Sequence, residues 1–183
     1  QVLYGDYNPS GKLTMSFPRN VGQVPVYYNF KNTGRPSTSI EQVTNSGYAD
    51  VENSPLYSFG YGLSYTEFKY SDFEISSSNM TKDSKINASI RVTNIGKYKG
   101  EEVVQLYLRD IVGSIARPMK ELKGFEKIEL NPGESKIVNF EIENSLLEFY
   151  SYNNVWESET GKFHVFIGTD SNVSEYKEFY LTD

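Results

Sequence analysis

Residues 85–93 read Lys-Ile-Asn-Ala-Ser-Ile-Arg-Val-Thr, with an apolar side chain at every second position. The apolar positions are Ile86, Ala88, Ile90 and Val92. In an extended chain, alternate side chains point to opposite faces, so these four share one face and the polar residues share the other. The stretch therefore predicts a β-strand with one buried and one solvated face.

The same alternation recurs through the second half of the chain. Further inward rows are Val104, Leu106 and Leu108; Val138, Phe140 and Ile142; and Phe163, Val165 and Ile167. Val103, Gln105 and Tyr107 form the alternate row of the first of these strands, and the chain closes with a strand over residues 176–181. Turn formers such as those at 131–134 separate the runs, and no segment keeps a helical period. About seven strands in residues 65–183 predict an all-β, fibronectin-III- or immunoglobulin-like β-sandwich.

The first 64 residues differ in composition from the rest of the chain and are rich in Gly, Pro, Asn and Ser. Turn signals recur in this stretch, at Asn8-Pro9-Ser10-Gly11 and at residues 33–36 among others. Only two short strands fit between them, at residues 13–17 and 24–29. A segment of this kind cannot close a core on its own, so it predicts an extended connector that precedes the sandwich.

Composition excludes several classes of protein. The net charge is −6 and no cluster of Lys or Arg appears, which argues against nucleic-acid binding. The absence of cysteine excludes disulfides, thiol catalysis and cysteine-based zinc sites, and it favours the fibronectin form of the sandwich. No apolar run approaches the roughly 20 residues of a membrane span, and no signal peptide opens the chain. Because the sequence starts at Gln1 rather than Met, we expect a fragment or a processed product.

An ordered series of motifs runs along nearly the whole chain. It comprises Gly5–Leu13, Phe17–Arg19, Val21–Asn29, 33–36, Pro55–Thr66, Gly100–Tyr107, Arg117–Pro118, Leu122–Phe125, Trp156, Gly161 and Phe163–Gly168. In this order the motifs resemble the C-terminal part of glycoside hydrolase family 3 enzymes of the β-glucosidase type. Three departures from the family pattern, Ser58, Asn153 and Thr160, fall in turns and bear on loop stiffness more than on the fold.

The resemblance implies three regions. Residues 1–20 would be the incomplete tail of an α/β sandwich domain, residues 21–64 an interdomain linker, and residues 65–183 a fibronectin type III-like domain. The implied function is a non-catalytic accessory β-sandwich that packs on the catalytic domains of a β-glucosidase-like enzyme. The implied partners are those upstream domains and, for the full-length enzyme, a β-linked oligosaccharide or glucoside, with no nucleic acid and no membrane.

The chemistry of that family places the reacting groups outside this chain. Retaining hydrolysis needs two carboxyl groups about 5–5.5 Å apart, one as nucleophile and one as acid/base. In the family both lie on segments upstream of the region that this chain resembles. The resemblance therefore implies no catalytic residue, no cofactor-binding residue and no metal ligand here, and the chain by itself is expected to be inert.

Carboxylates in this chain are the alternative source of catalytic groups. Candidates in turns or at strand ends are Asp6, Asp50, Glu52, Asp110 and Glu157. A catalytic acid at neutral pH needs a pKa raised by burial or by a like-charged neighbour. Nothing in the local sequence predicts either for these residues.

Three other features have a functional and a structural reading. His164 is the only histidine, too few for a zinc site, and is expected to be an outward or rim residue. Gly60-Tyr61-Gly62 resembles the start of a dinucleotide fingerprint, but no helix is predicted to follow it, which favours a tight turn. Tyr150, Tyr152 and Trp156 could form a sugar-stacking platform, although cross-strand packing or a tyrosine corner is the favoured interpretation.

Two rival roles and two further expectations remain. The rivals are a stand-alone fibronectin-III-like module that binds carbohydrate or protein, and a spacer without a ligand. Residues 1–20, without their parent domain, are expected to be mobile or to pair with a neighbouring chain, since an unpaired strand edge invites pairing. For the parent protein we expect a periplasmic or secreted location in a bacterium rather than a cytoplasmic one.

Overall fold

Ten strands make up the regular structure in the computed structural model, which describes residues 1–35, 47–48 and 50–183. They are β1 Phe68–Ile75, β2 Asn79–Thr81, β3 Ile86–Asn94, β4 Gly100–Asp110, β5 Glu121–Leu130, β6 Ser135–Ile142, β7 Phe149–Tyr150, β8 Trp156–Glu157, β9 Gly161–Gly168 and β10 Lys177–Thr182. One short helix, α1 at Asn144–Leu147, precedes β7, and 3₁₀ turns occupy Val2–Tyr4 and Val21–Gln23. Within these described residues, no helix is both long and apolar enough to cross a membrane.

The strands form two packed sheets and a small hairpin. One sheet has the order β1-β3-β6 and the other β2-β10-β9-β4-β5, while β7 pairs with β8. Pairing is antiparallel except between β2 and β10. This arrangement confirms the predicted all-β sandwich.

The core lies between the two sheets and contains the predicted inward rows. The four apolar residues of 85–93 are all less than 5% exposed, and Ile90 pairs with Val138 on β6. Val104, Val165 and their row neighbours on β4 and β9 face them from the other sheet and are equally buried. Because each buried aliphatic side chain stabilises the fold by about 1.5–3 kcal/mol, these rows hold the sheets together.

Strand β4 is buried on both of its faces. Gln105 and Tyr107 belong to the row that points away from the core, yet they are only 3% and 0% exposed. A strand buried on both faces needs a third layer, and here the preceding segment of the chain supplies it. Residues 8–31 and 57–66 lie against this outer face and across one end of the sandwich.

The strand expected at residues 13–17 has a partner within its own chain. Phe17 forms a bridge with Tyr57, and the Leu13 amide donates to the Tyr61 carbonyl at 2.8 Å. The expectation that residues 1–20 are mobile or pair with a neighbouring chain is therefore wrong for this strand. The physical reason is that the 57–61 segment returns alongside it and satisfies its backbone groups.

The strand expected at residues 24–29 is absent. The chain bends at Pro25 and turns at Tyr28 and Asn29, so it joins no ladder here, and Pro25 has no amide hydrogen to donate to one. The turn expected at 33–36 and the linker over 21–64 extend beyond the described residues, which exclude 36–46 and 49. The proposed domain boundaries stay a prediction.

Candidate functional site

The N-terminal segment meets the outer face of the five-stranded sheet through aromatic rings. Tyr28 stacks on Phe59 with ring centroids 4.2 Å apart, and its ring meets that of Tyr107 edge-on at 6.1 Å. Lys31 forms a backbone bridge with Pro118, and the Met119 amide donates to the Phe30 carbonyl at 2.8 Å. Aromatic contacts of this kind add about 0.5–1.5 kcal/mol beyond the area that they bury.

Gln105 connects this segment to the sheet by hydrogen bonds. Its Nε2 donates to the Gly60 carbonyl at 3.1 Å and to the Thr169 carbonyl at 2.6 Å. The Tyr107 hydroxyl donates to its Oε1 at 2.5 Å. Burial raises the pKa of Tyr107, so the hydroxyl keeps its proton and remains a donor.

A buried ion pair closes the end of the sandwich where β4 begins. Lys12 Nζ lies 2.9 Å from Glu102 Oε1, and the side chains are only 14% and 6% exposed. The Tyr70 hydroxyl of the opposite sheet donates to the same oxygen at 3.0 Å. Burial, and then the Glu102 charge, raise the pKa of Tyr70. A buried carboxylate with two donors is satisfied, whereas one without them would be costly.

The paired segments 13–17 and 57–61 present an apolar groove to solvent, which we call the ribbon face. Its volume is about 540 Å³, and its lining includes Leu13, Phe17, Tyr57, Tyr61 and Leu63. Three of these remain well exposed, with Leu63 at 70%, Phe17 at 44% and Tyr57 at 42%. A cluster of large apolar groups in water marks a surface that takes a partner.

The five candidate carboxylates lie on separate parts of the chain. Asp6, Asp50 and Glu52 are exposed, and Glu52 pairs with Arg19 at 2.8 Å. Glu157 lies on β8, where hydrogen bonds from Ser151 and Asn153 lower its pKa. Because its pKa is lowered, Glu157 stays ionised at neutral pH and cannot donate a proton to a leaving group.

Asp110, at the end of β4, is the buried member of that set. Burial raises its pKa, and Arg117 opposes the shift from 3.7 Å. Arg117 also bonds Glu121 at 2.9 Å, and its guanidinium lies 4.4 Å from the Phe149 ring centroid. The arrangement positions the loop after β4, and it resembles a structural ion-pair cluster more than a proton-transfer site.

His164 lies on the outer face of β9, and its neighbours leave its side chain only 12% exposed. Its Nε2 is 3.0 Å from Glu178 Oε1, and its ring stacks on Tyr176 at 4.0 Å. Among the described residues, no three His, Asp or Glu side chains come together as metal ligands would. His164 thus points outward from the core, as one form of the expectation has it, but it is covered by Tyr176 rather than open at a rim.

The two remaining sequence features both have structural roles. Gly60 has a φ of +81° in a tight turn, as predicted, and the next regular element is strand β1 rather than a helix. Tyr150 and Trp156 face each other across the β7–β8 hairpin at 6.0 Å, edge to face, as cross-strand packing predicts. They nevertheless stay 52% and 67% exposed, and Tyr152 is 81% exposed.

Local patterns did not reveal the contacts that tie the N-terminal segment to the sandwich. One signal was available, because Glu102 is a charged residue in the inward row that continues with Val104, Leu106 and Leu108. A charge in such a row predicts a buried partner. Nothing in the sequence names Lys12, which lies 90 positions earlier.

Known protein families match two separate parts of the chain. The family described as glycosyl hydrolase family 3 C-terminal domain matches residues 1–65, and the fibronectin type III-like domain family matches residues 102–171. A periplasmic beta-glucosidase of Salmonella typhimurium is 55% identical over 98% of the chain, and a putative beta-xylosidase of Formosa agariphila is 47% identical over 99%. The crystal structure of a beta-glucosidase from Listeria innocua in complex with glucose covers the whole chain with a TM-score of 0.91 and 41% identity.

These relatives are much longer than the chain. The chain spans 24% of the Salmonella protein, 23% of the Formosa protein and 25% of the Listeria protein. Their similarity therefore concerns one region of larger, multidomain proteins.

Proposed function

The chain belongs to glycoside hydrolase family 3, and from that premise we propose that it is the non-catalytic accessory region of a β-glucosidase-type enzyme. Its sandwich would brace the catalytic domains of the same polypeptide, which would cleave β-linked glucosides or oligosaccharides with retention. The relatives include both beta-glucosidases and a putative beta-xylosidase, so the class of sugar is proposed only as β-linked.

The observation that carries this proposal is the ribbon face. It is built by residues 13–17 and 57–63, the part of the chain that matches the family 3 C-terminal domain. About three quarters of the length of the relatives lies outside the chain. We propose that this missing portion supplies the cover for Leu63, Phe17 and Tyr57, whose exposure in water is otherwise unfavourable.

Hydrolysis of a chromogenic β-glucoside tests the catalytic half of the proposal. We expect no turnover above buffer for the 183-residue chain and clear turnover for the full-length gene product. The reason is that the retaining mechanism needs a positioned carboxylate pair. Turnover by the chain itself would contradict the proposal, and variants at Asp6, Asp50, Glu52 and Asp110 would then locate the responsible groups.

Replacing Leu63 with Glu tests the bracing half. In the full-length protein we expect the free energy of unfolding to fall by about 3 kcal/mol, because an unpaired carboxylate would be buried in the interface. The measurement is the thermal midpoint, which should be lower. In the 183-residue chain, where Leu63 is exposed, the change should stay within about 0.5 kcal/mol. Ile137→Glu, at a 49% exposed position on β6, is the control and should leave both proteins unchanged. Equal effects of Leu63→Glu in the two proteins would refute the docking role of the ribbon face.

A further inference from the structure

A second groove lies on the outer face of the five-stranded sheet, away from the ribbon face. Its volume is about 440 Å³, within the range of small-molecule sites. Arg109, His164 and Phe166 on β4 and β9 form its floor. Phe30 and Tyr28 of the N-terminal segment form one wall, and the loop before β10, residues 171–176, forms the other. The groove therefore exists only because the N-terminal segment is attached to the sheet.

Arg109 supplies the unsatisfied charge in this groove. Among the described residues its guanidinium has no hydrogen bond and no ion pair, although its backbone is paired with His164 of β9, one residue before β4 ends. Its positive charge lowers the pKa of both Lys120 and His164, in addition to the larger effect of their burial. The Arg109 charge therefore acts on two side chains that line the groove, and no described residue pairs with it.

The other charged groups of the groove already have partners. Lys120 Nζ donates to the carbonyls of Ser171, at 2.9 Å, and of Val173, and burial lowers its pKa to about 8. Glu178 accepts from His164 at 3.0 Å and pairs with Lys162 at 3.3 Å. The Arg109 guanidinium is therefore available for an anion, and the planar fork matches a carboxylate in bidentate geometry.

The walls and rim suit a sugar ring. Phe30 and Tyr176 are 56% and 46% exposed. One face of Tyr176 stacks on His164, so the apolar C–H face of a pyranose would meet its other face and the exposed ring of Phe30. The rim carries the side chains of Ser171, Asn172 and Ser174, which have no hydrogen-bond partners among the described residues and could bind ring hydroxyls. Apolar walls with a few unpaired polar groups are the usual lining of a ligand site.

We propose that this groove binds a hexuronic acid, a pyranose that carries a carboxylate. The carboxylate pairs with Arg109, the ring packs against Phe30 and Tyr176, and the hydroxyls reach the rim. A neutral hexose leaves the guanidinium unpaired, and a simple carboxylate leaves the aromatic walls empty. The groove shares none of the residues named for the ribbon face, so failure of this proposal would leave the proposed accessory role intact.

The test is a titration of the ¹⁵N-labelled 183-residue chain, followed by NMR, with glucuronate, glucose and acetate at matched ionic strength. We expect glucuronate to bind with millimolar affinity and to shift the amides of β4, β9 and residues 171–176. Arg109→Gln should weaken binding at least about tenfold, since it removes a charged hydrogen-bonding partner. Phe30→Ala, at an exposed position, should weaken it severalfold without unfolding the protein. Arg91→Gln is the control, because Arg91 pairs with Asp72 on the opposite sheet.

Each other outcome overturns the proposal. Equal binding of glucose removes the role of the carboxylate, and equal binding of acetate reduces the groove to an anion site. Absence of shifts with all three compounds shows that the groove takes no sugar. Unchanged affinity in a folded Arg109→Gln protein, with its amide spectrum intact, removes Arg109 from the site.

Discussion

Replacing Lys12 with Met is expected to lower the free energy of unfolding by about 3–5 kcal/mol, because it leaves a buried carboxylate without its cation. Glu102 is 6% exposed in its side chain and lies between the ends of the two sheets, where water cannot replace the lysine. Tyr70 would remain as a donor to Glu102, but one neutral hydroxyl does not offset the lost charge. Urea unfolding followed by circular dichroism measures the change.

Two companion variants isolate the cause. Lys12→Met combined with Glu102→Gln should recover most of the lost stability, since a neutral amide still accepts from Tyr70 and needs no cation. Lys136→Met removes an exposed pair with Glu126, 2.9 Å apart, and should cost less than about 1 kcal/mol. A loss of that small size for Lys12→Met would mean that the pair is solvated and that residues 8–12 are not fixed to the sandwich.

Replacing Gly60 with Ala is expected to cost about 3–4 kcal/mol, from backbone strain and from a broken buried hydrogen-bond network. The φ of +81° is unfavourable for an L-residue, and an added Cβ would lie 2.2 Å from Gln105 Oε1. Gln105 would have to move and give up its bonds to the Gly60 and Thr169 carbonyls. The measurement is again the free energy of unfolding.

Gly133 provides a matched control for the strain. Its φ is +79°, but an added Cβ meets no atom within 4 Å, so Gly133→Ala should cost only about 1–2 kcal/mol. Gln105→Ala makes room for the new methyl group, and the double variant with Gly60→Ala should lose less than the sum of the two single variants. Strict additivity would show that Gly60 and Gln105 do not contact each other.

Strand prediction succeeded where one face of a strand is buried. The alternation at 85–93 corresponds to β3, and the row at Phe163, Val165 and Ile167 corresponds to β9, because core contacts impose a period of two. It failed at β1, where the register shifts between Ser71 and Glu74 and the alternation is lost. It also missed β2 and α1, which are too short, at three and four residues, to carry a periodic signal.

The sequence by itself determined the β-sandwich, the family and the tight turn at Gly60, because each rests on residues close together in the chain. Only the tertiary structure decided that residues 8–31 and 57–64 are fixed to the sandwich rather than left unpaired. Local periodicity reports whether a face is apolar, but it does not report which distant segment covers that face. Three features depend on the path of the chain across the sandwich and the outer face of β4. They are the pairing of Lys12 with Glu102, the burial of Gln105 and Tyr107, and the groove at Arg109.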